Sequence, residues 1–142
     1  MNNQDRAVLK KIVVATDIAL TSLECILPKT TDQLKDQLTV FIGEHRDILN
    51  ATIKILKDND LSIPTPFPMI VSTTKSLTMC RLSHDSSPSY IAHMIIKGAT
   101  SGSNNLNSFM KSHTNISETY LSLAKDLLLL EQRMAMSLVQ FI

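Results

Sequence analysis

A chain of 142 residues, 44% of them hydrophobic, fits one domain of ordinary size with a real core and argues against general disorder. The net charge is +1 and the Lys and Arg residues are dispersed, so nothing in the charge supports a nucleic-acid partner. Three glycines and five prolines are few for the frequent turns of a sandwich or barrel, which points to an all-α protein.

Aromatic residues make up only 4% and tryptophan is absent, so the core must be built from Leu, Ile, Val and Met. Cys25 and Cys80 are the only cysteines and neither belongs to a CxxC pair. The first residues are polar and charged through Lys11, unlike a secretory signal. Two free thiols in the cytoplasm are therefore expected. Apolar runs fall far short of the roughly 20 residues a membrane span needs.

Taken in order, residues 3–27 predict a first helix. Leu9, Ile12, Thr16, Ala19, Leu23 and Ile26 form its seam, widened by Val8, Val13, Ala15 and Leu20. Asp5 stands where a carboxylate favours the helix dipole, and Pro28 ends the run. Residues 32–59 predict a second helix with Thr31 as its N-cap. Leu34, Leu38, Phe41, His45, Ile48, Thr52 and Ile55 make its seam. The short link between these two long helices predicts an antiparallel hairpin.

Residues 59–68 carry Pro64, Pro66 and Pro68 at alternate positions, which favours a stiff, extended strap. A short helix is expected over residues 69–82, then a break capped by Asp85, Ser86 or Ser87 before Pro88. Residues 87–111 predict the next helix, with apolar or small residues recurring at Ile91, Met94, Gly98, Ser101, Gly102 and Phe109. A glycine inside a helix costs about 1 kcal/mol relative to alanine. Gly98 and Gly102 on one stripe therefore predict the close passage of another helix. The last helix is expected over residues 115–141, with Ile116, Tyr120, Leu123, Leu127, Leu130, Met134, Ser137 and Phe141 on its seam.

The expected architecture is a single domain of two antiparallel hairpins, joined by a crossover that carries a short extra helix. One long crossover between two hairpins is the ferritin-like four-helix-bundle topology, with a plain five-helix up-down bundle as the alternative. Specific stretches add to this. Ser76-Leu77-Thr78-Met79, Asp85-Ser86-Ser87 and Ile91-Ala92-His93-Met94-Ile95-Ile96-Lys97-Gly98, with Gly102, resemble a group of short, uncharacterised bacterial helical proteins of the ferritin-like type. Ser22-Leu23-Glu24 and Leu27-Pro28-Lys29 fit the same pattern. The resemblance implies the fold and carries no activity with it.

A ferritin-like bundle raises the question of a di-metal centre. That site takes a Glu from each of two helices and a Glu-x-x-His from each of the other two. The chain has no Glu-x-x-His. Glu44 and His45 are the remaining metal candidates, and as neighbours on a helix they point about 100° apart. Asp17, Glu24, Glu118 and Glu131 are read as lying beside the seams. His45 falls on an apolar seam, which predicts a buried neutral imidazole bonded to Thr16, Ser101 or a carbonyl across the bundle. His84, His93 and His113 are expected at the surface. Ser83-His84-Asp85 are consecutive and read as turn and cap, because a catalytic triad is assembled in space. Gly98-x-x-x-Gly102 has neither the preceding strand nor the following Lys of a phosphate loop.

The expected role is therefore non-enzymatic, without a cofactor. It consists of association with a second copy or another protein, suggested by the apolar ending Leu138-Val139-Gln140-Phe141-Ile142. The alternative is a degenerate ferritin-like metal or oxidative-stress protein using His45 and nearby carboxylates. A third reading is a small apolar ligand in a core cavity left by the glycines and the Thr and Ser residues of the seams.

Overall fold

Five α-helices are strung along the chain, with two 3₁₀ turns and no strand among the described residues. The computed structural model describes residues 1–65 and 68–142. Helix α1 spans Asn3–Ile26, α2 Asp32–Asp58, α3 Pro68–His84, α4 Pro88–Ser112 and α5 Glu118–Leu138. Pro66 of the expected proline strap lies outside the described residues.

Local chemistry sets the helix ends. Asn2 and Asp5 form a reciprocal capping box at the start of α1. The Asn2 side chain accepts from the Asp5 N–H at 2.8 Å, and the Asp5 carboxylate accepts from the Asn2 N–H at 3.1 Å. Pro28 stands within a 3₁₀ turn, Leu27–Lys29, that closes α1. Thr31 takes the extended backbone of an N-cap, but its side chain makes no capping bond. Ser87 caps α4 by accepting from the Tyr90 N–H at 3.3 Å, and Asp85 Oδ1 accepts from the Ser87 N–H at 2.8 Å.

α5 begins three residues later than its periodicity suggests, and the residues before it are tied to α1. The Asn115 N–H donates to Gln4 Oε1 and the Asn115 carbonyl accepts from Asn2 Nδ2. The Ser117 N–H and hydroxyl donate to the two oxygens of Asp5, both at 2.7 Å. The first N–H groups of a helix have no carbonyl partner within it, and here side chains of α1 accept from the residues that lead into α5.

These bonds also set direction, since α1 and α5 start side by side. At the other end of the bundle one core unites the ends of α1 and α5 with the starts of α2 and α4: Ile26, Leu34, Leu38, Ile91 and Leu138. α1 and α5 therefore run one way, and α2 and α4 run back. Near the starting end, Val8 and Ile12 pack with Leu106, Ala124 and Leu127, while Leu9 and Val13 pack with Leu56. Each fully buried Leu or Ile contributes about 1.5–3 kcal/mol relative to exposure. α3 lies on the connection from α2 to α4 and packs chiefly on α1.

The buried stripe of α4 is rotated from the predicted one. Ile91, Ala92, Ile95, Ala99, Ser103 and Leu106 are buried, whereas Gly98, Ser101 and Gly102 are exposed. Ile91, Ile95 and Leu106 take the packed side together with Ala92, Ala99 and Ser103, and Gly98 and Gly102 are left toward open space.

Candidate functional site

The centre of the bundle holds a polar pair. His45 on α2 is fully buried, and its Nε2 lies 2.8 Å from Oε1 of Glu131 on α5. Its Nδ1 lies 2.7 Å from the carbonyl oxygen of Phe41, one turn back on the same helix. That carbonyl can only accept, so Nδ1 carries a proton. Nε2 and Oε1 then share one further proton between them. Either the imidazolium donates to the carboxylate, or the carboxylic acid donates to the imidazole. In both arrangements the pair has zero net charge, which is how a glutamate can be 8% exposed in an aliphatic bundle.

The adjacent residue points outward. Glu44 accepts both guanidinium nitrogens of Arg133 in a bidentate pair on the surface of α2 and α5. Glu44 raises the Arg133 pKa above its ordinary value by holding the charged form. Arg133 also stands 6.0 Å above the Phe41 ring. One rung of α2 thus reaches α5 twice, inside through His45 and outside through Glu44.

Beside the inner pair lies a cavity of about 490 Å³. Leu127, Glu131 and Met134 of α5 form its floor. Val14, Ala15, Ile18, Ala19 and Leu23 of α1 make one wall. Met94, Ile95, Gly98, Ala99 and Gly102 of α4 make the other. α3 crosses it with Thr74, Leu77, Thr78 and Arg81. The exposed residues Lys97, Ser101, Asn105 and Arg81, with the half-buried Lys11, mark the mouth.

The cavity follows from residue size. No atom among the described residues would lie within 4 Å of a methyl added at Gly98. A methyl at Gly102 would meet only Glu131 Oε2, at 4.0 Å. The glycines therefore do not admit a close helix. They widen the gap between α1 and α4, and Ala15 and Ala19 widen it from the other side. Oε2 of Glu131 faces this gap and has no hydrogen-bond partner among the described residues.

The candidate residues from the sequence meet different fates. His45 is buried on its seam, bonded to a carbonyl of its own helix rather than to Thr16 or Ser101. The Thr16 hydroxyl donates to the Ile12 carbonyl, and Ser101 stands at the cavity mouth. Glu131 is not beside the seam but buried within it, between Leu127 and Met134 at helical spacing. That spacing was the available signal. What periodicity omits is the partner 86 positions earlier that makes burial tolerable. His84 and His93 are exposed, while His113 is half-buried and stacked on Phe109 at 3.9 Å. Cys25 is half-buried and Cys80 exposed, both as free thiols.

The di-metal set of a ferritin-like bundle does not fit these residues. Among the described residues, no group of three or more His, Cys, Asp or Glu side chains is placed to hold a metal ion. His45 has both ring nitrogens engaged, and Glu44 faces away onto Arg133. No described helix is long and apolar enough to cross a membrane. No family model matches the chain, and neither a curated protein nor a solved structure matches it.

Proposed function

We propose that the chain is a non-enzymatic binding protein. Its ligand is a small, mainly apolar molecule seated between α1, α3, α4 and α5. The observation that carries this reading is Glu131. Its side chain is about nine-tenths buried, one oxygen is satisfied by His45, and the other faces the cavity without a donor among the described residues. That oxygen opens onto the cavity, where a ligand hydroxyl can donate to it. The volume falls within the range of small-molecule sites, and apolar walls around a few polar atoms are their usual composition. The two antiparallel helix pairs, joined by a crossover that runs from the starting end to the opposite end, support grouping the fold with ferritin-like bundles.

Binding of Nile red, a neutral apolar dye, tests the site. The expected result is saturable fluorescence enhancement in the intact protein, abolished by Gly98→Leu, whose side chain extends into the empty wall. Dye binding that is absent, or equal in the variant, would remove the reading.

A second reading, association through protein surfaces, is supported by Leu129 and Met136. They are 60% and 77% exposed on α5 and flank Arg133 along the same helix face. Sedimentation at high concentration should then give a dimer that Met136→Lys dissociates. A monomer throughout would set this second reading aside without touching the first.

A further inference from the structure

We infer that the space over Gly102 seats a neutral hydroxyl of the ligand, so that the cavity selects an alcohol over an ether or an amine of the same size. This rests on the cavity being a binding site, and it names the class of ligand that the site takes. Gly98 and Gly102 stand one turn apart on the wall that α4 gives to the cavity. They are not equivalent. A methyl added at Gly98 meets nothing within 4 Å among the described residues, whereas one added at Gly102 meets Oε2 of Glu131 at 4.0 Å. Glycine at position 102 therefore keeps open the space that borders Oε2. A donor hydroxyl oxygen sits about 2.7–2.8 Å from its acceptor. A methyl 4.0 Å from Oε2 leaves no room for such an oxygen between them.

The proton arrangement of the buried pair sets what Oε2 selects. Oε1 is engaged by His45 Nε2, and Nδ1 is committed to the Phe41 carbonyl, so the pair is neutral wherever its shared proton resides. Oε2 is thus an acceptor with no net charge behind it. An ammonium seated there is buried without a counter-charge, because no other acidic side chain among the described residues lines the cavity. An ether oxygen brings only an acceptor, and two acceptors face to face repel. A hydroxyl brings a donor without a charge. Ile18, Leu23, Ile95, Leu127 and Met134 surround this point with apolar surface suited to a hydrocarbon body.

The test compares octanol, heptyl methyl ether and octylammonium, which have equal numbers of heavy atoms, by displacement of Nile red and by calorimetry. A featureless apolar cavity favours the ether, because it gives up fewer bonds to water. A hydroxyl on Oε2 reverses this, and octanol should bind about tenfold more tightly than the ether and more tightly than the ammonium. Two matched variants locate the contact. Gly98→Ala and Gly102→Ala each add one methyl to the same helix face, and both replace a helical glycine by a better helix former. Gly98→Ala should weaken octanol and the ether alike, by about twofold, and keep the gap between them. Gly102→Ala should bring octanol to within about twofold of the ether. Equal affinity of octanol and the ether in the native protein, preference for the ammonium, or a gap that survives Gly102→Ala would overturn the inference while leaving the cavity as a binding site. Binding of Nile red, which has no donor, with no binding of octanol would overturn it too. Failure of all three to bind and of Nile red to enhance would instead remove the underlying reading.

Discussion

His45 and Glu131 depend on each other because neither tolerates burial alone. Truncation at His45→Ala removes the imidazole, leaves Glu131 without its donor or acceptor, and opens a void against Phe41. Breaking a buried pair in this way typically costs about 3–5 kcal/mol. Glu131→Gln should be far milder. A glutamine amide donates to Nε2 while Nδ1–H continues to donate to Phe41, so every bond of the pair survives with no charge in the core. Urea denaturation should therefore give a large loss for His45→Ala and a loss under about 1 kcal/mol for Glu131→Gln. Equal losses would mean that a charged carboxylate is required, and the shared-proton account would be wrong.

At the scale of the helices, the ends of α1 and α5 are fastened through Asp5. Burial alone pushes its carboxyl upward, but the Ser117 N–H and hydroxyl and the Asn2 N–H outweigh it and hold the pKa below the ordinary 3.8. A carboxyl whose folded pKa lies below its unfolded value stabilises fully above the unfolded value. That stabilisation is lost as pH falls through the folded one. Asp5→Asn cannot present two acceptor oxygens to Ser117 and should cost about 1–3 kcal/mol at neutral pH. The gap between the two proteins should stay constant down to about 3.8 and narrow below it. A gap that persists unchanged in acid would show that the lost bonds are insensitive to protonation.

The same elements show what a linear pattern can and cannot reveal. Aliphatic residues such as Leu9, Ile12, Leu34 and Leu38 repeat at helical spacing and are buried, since apolar burial depends on composition and period alone. The stripe on α4 was harder to place. Small residues at Gly98, Ser101 and Gly102 fit a close contact and an open gap equally well, and only the distance to α1 decides between them. Glu131 and Asp5 were the least visible. Each is buried by virtue of partners more than eighty positions away.

Across the whole molecule, stability is unevenly shared, and α3 lies at its weak end. α1, α2, α4 and α5 carry long buried stripes that meet in connected cores. The described residues of α3 bury only Thr78 and Leu82, while Leu77 and Met79 are 52% and 61% exposed. Leu82 fastens the end of α3 to the main core, so the preceding turns cross the cavity with little apolar burial to hold them. Local opening is governed by this kind of difference, and peripheral helices open at a small fraction of the global unfolding free energy. Hydrogen exchange should therefore find residues 72–81 exchanging well before the four bundle helices. A ligand in the cavity would cover Leu77 and bridge α3 to α4, so saturating Nile red should slow exchange in α3 more than anywhere else. Exchange of α3 in step with α1, with or without ligand, would show that it belongs to the bundle's cooperative unit and that access to the cavity does not pass beneath it.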